Sequence, residues 1–272
     1  MTARHMDVRV AELPAQVGQG QDRILVGNDV VIVLDGASGT DGLVSVAAYV
    51  DALGRRLLDT FECQPAAPLR STLRTALAGT VQELDVRPGD SPSSTVSIIR
   101  SVADRVDVLV LGDTPVYVAT RPDGVERIFD DRLMRLPVKY RPAALARLHT
   151  GAGFDDEHRR LLREMRHEKA PYLNAAGGYW IAEADPAAGC EALVRSFRAQ
   201  DVRWAAVLTD GADDPMRHLH IDVGDVVGLS EAEMAVLLAD LHRWEEHKDP
   251  QGQELPRFKC HDDKSIAVVT FR

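Results

Sequence analysis

The chain has 272 residues, 45% of them hydrophobic and 27% charged, the balance of a folded globular protein with room for one large domain or two small ones. Its formal net charge of −10 opposes wholesale binding to DNA, RNA or an anionic membrane, while leaving room for a local basic patch. No run of about 18 apolar residues offers a transmembrane helix, and the polar, charged start Met1–Leu13 lacks the apolar run of a signal peptide, so a cytoplasmic location is expected.

The elements follow in order. Ile24 to Val26 and Val30 to Leu34 are β-rich runs around Gly27-Asn28-Asp29, a hairpin whose second strand runs into Asp35-Gly36. Apolar residues at Val46, Val50, Leu53, Leu57 and Phe61 predict an amphipathic helix between Gly42 and Phe61. Leu73, Leu77, Val81 and Leu84 predict a second helix, ended by Pro88-Gly89-Asp90. Ser94–Arg100, Val106–Leu111, Val116–Thr120 and Val125–Phe129 read as strands, joined by turns too short for anything but antiparallel neighbours. From Pro137 to Ala188 the pattern loosens, with a helix expected over Asp155–His167 and a short strand over Tyr179–Ala182. A helix is then expected around Glu191–Phe197, a strand over Val202–Leu208, a long helix from an N-cap at Ser230 to about His247, and a closing strand over Ser265–Phe271. No repeat and no Pro/Gly/Ser-rich linker divides the chain. One domain over 1–272 is expected, with two antiparallel sheets, helices outside and an insert over about 137–188.

Three acids directly follow apolar strands: Asp35 in Val-Leu-Asp-Gly, Asp113 in Leu-Gly-Asp-Thr and Asp210 in Leu-Thr-Asp-Gly. Asp262-Asp263 precedes the last strand and Asp22 the first. One such aspartate is ordinarily an Asx-turn or a cap. Five of them, several beside a glycine, suit a hard divalent ion, because carboxylates, backbone carbonyls and water are the donors that Mg²⁺ or Mn²⁺ prefer. No His/Cys set accompanies them, which disfavours zinc there. Cys63, Cys190 and Cys260 show no CxxC spacing and read as reduced packing residues.

Gln21-Asp22-Arg23, Asp35-Gly36-Ala37-Ser38-Gly39, Ser93-Ser94-Thr95, Gly112-Asp113-Thr114, Thr209-Asp210-Gly211 and Asp262-Asp263-Lys264-Ser265 resemble, in order and spacing, the motifs of the metal-dependent protein phosphatase family, type 2C (PPM). The resemblance spans nearly the whole chain. It implies an α+β fold, a four-layer α-β-β-α sandwich of two antiparallel sheets with a helical, flap-like insert. It also implies hydrolysis of phosphate monoesters, foremost pSer/pThr of proteins, by water activated between two divalent ions. Asp35 would bridge two metals and act catalytically with Asp210. The Gly36 carbonyl would bind one metal, Asp22 would act on the first through water, and Asp210 and Asp262 would hold the second. Asp113 matches a position serving a third, weaker metal in some members. Asp263 stands where the family usually has Asn, so Asp262 is the ligand of that pair.

The chain departs from the pattern in three places. The phosphate-gripping arginine that many members carry before the first aspartate falls here near Val17, leaving Arg23 or Arg9 as substitutes. The histidine that some members place after the bridging aspartate is Ala37. The insert is unusual and basic, from Arg132 and Arg135 through Arg141, Arg159, Arg160, Arg163 and Arg166 to Lys169. Its Asn174 and Gly177-Gly178-Tyr179-Trp180 resemble a stand-alone, actinobacterial-type branch. Its cations read either as a solvated helix face or as a flap drawing in an acidic substrate, with Arg159 and Arg163 as candidates. Of the histidines only His261, beside Asp262, stands out. Competing expectations are a small-molecule phosphatase, a pseudophosphatase acting by partner binding, and an unrelated α/β binding domain. Retention of Asp35, Gly36, Asp210 and Asp262 argues against the pseudophosphatase.

Overall fold

The computed structural model describes residues 5–271 except 17, 19, 38–42 and 123. Val17, Ser38, Gly39 and Gly42, singled out above, therefore lie outside the described residues. The strands are β1 (Met6–Leu13), β2 (Arg23–Val26), β3 (Val30–Leu34), β4 (Gly36–Ala37), β5 (Ser93–Ser94), β6 (Val96–Val102), β7 (Arg105–Leu111), β8 (Val116–Thr120), β9 (Gly124–Ile128), β10 (Leu193–Arg198), β11 (Val202–Leu208) and β12 (Lys264–Phe271). The helices are α1 (Val46–Cys63), α2 (Leu69–Leu84), α3 (Tyr140–His149), α4 (Asp156–Lys169), α5 (Asp210–His218), α6 (Val223–Val226) and α7 (Glu231–His247).

Two five-stranded antiparallel sheets form, one ordered β1-β12-β11-β8-β9 and the other β10-β7-β6-β3-β2. Side chains alternate across each strand, and here both faces are covered. On β3, Val31 and Val33 join Val106, Val108 and Val110 against Val118, Val207, Ala267 and Val269 of the other sheet. Val30, Ile32 and Leu34 face the other way, onto Tyr49, Leu53 and Leu57 of α1 and Leu73 and Leu77 of α2. The β1-β12-β11-β8-β9 sheet turns Tyr117, Ala206, Leu208, Ile266 and Val268 toward Met216 of α5 and Met234, Leu238 and Leu241 of α7. The result is a four-layer α-β-β-α sandwich. Burial on both faces explains why the central strands read as unbroken apolar runs even though they are antiparallel.

Helix starts follow capping chemistry. Ser45 caps α1 by accepting from Ala48 N, and Asp155 caps α4 by accepting from His158 N. Ser230 and Glu233 form a full capping box on α7. α2 ends at Asp85, whose φ of +49° closes the helix in the left-handed region.

The structure corrects two expectations and adds three elements. Glu191–Phe197 is not a helix: Leu193–Arg198 is a strand that completes the free edge of β7, preceded by a 3-10 turn over Pro186–Glu191. Tyr179–Ala182 is not a strand; isolated bridges join Tyr179 to Leu173 and Ala182 to Ser94. The charged start holds a strand, β1, whose Met6, Val8 and Val10 point between the sheets. α5 begins at Asp210 itself, where a strand end alone was expected, and α3 adds a second helix to the insert. Among the described residues no helix is long and apolar enough to cross a membrane.

Candidate metal centre

Antiparallel registry brings the acids together. Arg23 pairs with Leu34, Val96 with Leu111, and Leu208 with Ile266, so the chain positions bearing Asp22, Asp35, Asp113, Asp210 and Asp262 share one end of their sheets. The two sheets meet at that end through Ser265, whose Oγ donates to Asp22 Oδ2 at 2.8 Å.

Asp35 is fixed by its backbone. Its carbonyl accepts from Thr95 N at 2.9 Å and from Ser94 Oγ at 3.1 Å, and its amide donates to Thr95 Oγ1 at 3.3 Å. Thr95 Oγ1 in turn bonds Thr114 Oγ1 at 2.7 Å, tying this turn to the loop that carries Asp113. The Ser-Ser-Thr and Gly-Asp-Thr motifs thus serve as clamps on the acids. Gly36 admits no side chain: a Cβ there would lie 2.5 Å from Val46 Cγ1 and 2.6 Å from the Gln21 carbonyl oxygen. Gly211 is equally constrained, since a Cβ would run into the Asp263 carbonyl. Asp210 occupies the first turn of α5, where the helix dipole favours a carboxylate.

Asp262 and Asp263 do different work. Asp263 is buried and accepts from the amides of Ala15 (2.7 Å), Gln21 and Asp22 (3.3 Å), pinning the segment that leads into β2. Asp262 opens onto a cleft with Asp113 and Asp210.

The electrostatics show what the cluster lacks. Burial first, then the charges of Asp210, Asp22, Asp262 and Asp113, raise the Asp35 carboxyl well above the usual carboxylate range. Burial likewise pushes Asp22 up to about 7, against hydrogen bonds from Ser265 and Thr209 and with help from Asp263 and Asp262. Asp210 is raised well above its ordinary value by enclosure and by Asp262, Asp113 and Asp214. Because Asp210 keeps broad solvent access, carboxylate repulsion is the firmer of these causes. Among the described residues, the ion pair made to this set is Lys259 Nζ to Asp262 Oδ1 at 2.7 Å. Burial disfavours the Lys259 ammonium, but Asp262, Asp35 and Asp210 more than offset it and raise the lysine. Converging carboxylates with one ammonium among them, and no imidazole or thiol among the described members of the set, fit divalent, oxygen-seeking cations.

The cleft above the acids is walled by Arg127 and Phe129 of one sheet, Arg141 and Leu145 of α3, Arg217 of α5, and the loop bearing Arg257, Phe258 and Lys259. Arg127 is held by Asp213 at 2.9 Å and lies over the Phe129 ring at 4.0 Å; Arg141 lies over Phe258 at 5.9 Å.

Solved structures of similar shape include the catalytic domain of the serine/threonine protein phosphatase PstP in complex with two manganese ions. It is 18% identical, with a TM-score of 0.52 and 99% of each chain covered. The chain has the PPM phosphatase fold. Stp1 from Staphylococcus aureus aligns with a TM-score of 0.59 at 13% identity, over 98% of this chain and 95% of that one. The PPM Ser-Thr phosphatase MsPP from Mycobacterium smegmatis, in complex with cacodylate, aligns at 0.55 and 15%, over 98% of both. No protein-family model and no curated protein matches the chain.

Within this PPM fold, Asp22, Asp35, Gly36, Asp113, Asp210 and Asp262 gather at one end of the sandwich, while the arginine candidates scatter. Arg159 pairs with Asp156 of its own helix at 2.5 Å, and Arg163 is exposed on the same helix; neither lines the cleft. Arg23 is engaged by Asp51 and by the carbonyls of Gly20 and Asp22, and Arg9 by the carbonyls of Val227 and Leu229. Cations whose charges bear on the acids include Lys259 and, from the insert, Arg141 and Lys169, which act on Asp113. Arg141 and Lys169 were legible only as part of a basic run, and Lys259 only as a neighbour of the last motif.

Proposed function

We propose that this chain is a metal-dependent phosphatase of phosphate monoesters, acting foremost on pSer/pThr of proteins. The observation that carries the reading is the convergence of five carboxylates, beside a Gly36 that admits no side chain, at one end of a PPM-fold sandwich. In this reading Asp35, Gly36, Asp22, Asp210 and Asp262 would hold two Mn²⁺ or Mg²⁺ ions, with Asp35 common to both, Asp210 and Asp262 on the second and Asp22 acting on the first, and Asp113 would serve a third. The two manganese ions of PstP, a protein of the same fold, support the choice of ion. When bound, such a pair neutralises phosphoryl oxygens and makes water acidic enough to act as nucleophile at neutral pH.

The chain's own contribution is placement. Thr95, Ser94 and Thr114 fix the Asp35 turn, and Asp263 fixes the approach to Asp22. Lys259 and Arg141 are the cations we assign to the substrate phosphate in place of an arginine near Val17. Residues 137–188 act as a flap within one domain spanning 1–272, and Arg141 and Lys169 draw an acidic phosphopeptide toward the acids. The cytoplasm suits such a substrate.

The test is hydrolysis of an aryl phosphate by the purified chain in EDTA, Mg²⁺ or Mn²⁺, followed by a phosphopeptide panel. Turnover with metal and none with EDTA supports the reading, and full turnover in EDTA overturns it. Aryl phosphate turnover without any phosphopeptide turnover moves the substrate to a small phosphomonoester.

A further inference from the structure

His261, which the sequence singles out and the aspartate centre does not use, sits in a second cluster of donors. His242 and Glu245 lie three residues apart on α7, hence on one face of that helix. The loop before β12 lays His261 against them. The His242 and His261 rings stack with centroids 4.0 Å apart and planes 22° apart. His261 Nδ1 is 2.9 Å from Glu245 Oε2. One ligand atom from each of the three residues lies within 4.8 Å of the other two. Glu245 is 2% exposed, and His242 Nδ1 is buried without a hydrogen-bond partner. A buried imidazole nitrogen with nothing to bond is costly unless something else satisfies it.

We propose that His242, Glu245 and His261 form a zinc site, separate from the aspartate centre. Two imidazoles and one carboxylate are a donor set for a borderline ion such as Zn²⁺, whereas the all-oxygen aspartate set favours Mn²⁺ or Mg²⁺. The geometry is near what such an ion needs. Tetrahedral Zn²⁺ with bonds of about 2.0–2.1 Å holds its ligand atoms roughly 3.3 Å apart, so the side chains close by no more than about 1.5 Å. A water completes the fourth position. Entry is available, because Glu245 also lines the cleft. Lys264 is the competing cation: its fully buried Nζ lies 2.9 Å from Glu245 Oε2 and 3.2 Å from the Asp262 carbonyl. It contacts the same carboxylate oxygen as His261, so neither of these contacts uses the second oxygen. An ion bound here clips α7 to the loop carrying His261, one residue before Asp262.

The test uses the full chain, stripped with a chelator and then held in excess Mg²⁺ to occupy the aspartates. Zn²⁺ is titrated calorimetrically, and Co²⁺ is titrated by its visible absorption, which is intense only in tetrahedral or five-coordinate sites. The wild type and Asp35→Asn should each bind one Zn²⁺ and develop the Co²⁺ band. His242→Ala and His261→Asn should bind at least tenfold more weakly and lose the band. Melting curves in chelator establish that each variant is folded. If His242→Ala does not fold, His261→Asn alone decides, through loss of the Zn²⁺-induced rise in Tm. Zn²⁺ binding unchanged in the histidine variants, or abolished by Asp35→Asn alone, overturns the proposal. So does a wild type that takes up no Zn²⁺. Because the readout is binding, failure here leaves the phosphatase reading standing, and the converse also holds.

Discussion

Replacing Asp263 with alanine should destabilise the fold by freeing the Ala15–Asp22 segment that leads into β2, while replacing its neighbour Asp262 with asparagine should remove a proposed metal ligand at little cost to the fold. Asp263 is 7% exposed and its carboxylate accepts three backbone N–H groups, those of Ala15, Gln21 and Asp22. Hydrogen bonds to a charged group contribute about 1.5–3 kcal/mol each, and an amide left buried without a partner costs a similar amount. Counting the long bond to Asp22 lightly, the loss is roughly 3–5 kcal/mol, or on the order of 10 °C in Tm for a domain of this size. Asp262 is half-buried, accepts only from Lys259 Nζ at 2.7 Å and the Asp263 amide at 3.0 Å among the described residues, both bonds that an asparagine oxygen can keep, and it repels Asp35, Asp22 and Asp210. Asp262→Asn should therefore melt at or above the wild-type temperature in EDTA, yet lose the rise in Tm that Mn²⁺ confers through binding the native state. The assay is a pair of melting curves for each variant, in EDTA and in saturating Mn²⁺. An Asp263→Ala variant within about 2 °C of wild type in EDTA, or an Asp262→Asn variant with the full Mn²⁺ response, would refute the division of labour.

Three further outcomes follow from the same geometry. Asp22 carries a carboxyl raised from 3.8 to about 7, so the native metal-free protein holds protons that the unfolded chain has released. That contribution to stability is complete below about pH 4 and is lost as pH rises through about 7. Since metal ligands must be deprotonated, the Mn²⁺-induced rise in Tm should grow across that interval; a rise that is flat or shrinking from pH 5 to 8 would contradict it. Arg141→Gln with Lys169→Gln should raise KM for an acidic phosphopeptide and flatten its salt dependence. Arg159→Gln with Arg160→Gln should leave KM unchanged, because those two pair with Asp156 and Glu157 of their own helix; equal KM values for the two double variants would remove the flap role. Gly36→Ala should abolish activity and lower Tm, since its Cβ would collide with Val46 and the Gln21 carbonyl; an active, stably folded Gly36→Ala protein would show that the backbone there has room to move.

The acids were readable because strand ends concentrate them: Val-Leu-Asp-Gly, Leu-Gly-Asp-Thr and Leu-Thr-Asp-Gly announce themselves without any knowledge of contacts. The strands carrying them were readable for the same reason, being buried on both faces and therefore apolar throughout. Edges were harder. β1 is an edge strand whose outer face carries half-buried Asp7 and Arg9 beside Ala11 and Leu13, which pack against α7, so charges interrupt Met6, Val8 and Val10 and the alternation passes for a charged tail. β10 spaces Leu193 and Phe197 four apart, which suits a helix as well as a strand; the free edge of β7 decides it, and that edge is a tertiary fact. The stretch from Arg132 to Lys169 offered ten similar cations, and local sequence does not say that Arg159 is spent on Asp156 while Arg141 reaches over Phe258. Asp263, read as the idle member of its pair, turns out to hold the Ala15–Asp22 segment through amides some 240 residues away.

Turnover of an aryl phosphate by wild type, Asp35→Asn and Asp210→Asn, each in EDTA and in Mn²⁺, tests the central claim most directly. The account predicts hydrolysis by wild type in Mn²⁺ alone. Both variants should be slower by orders of magnitude while melting in EDTA at or above the wild-type temperature, because each loses one of the mutually repelling carboxylates. Near-wild-type rates in either variant, or wild-type turnover that persists in EDTA, would contradict it.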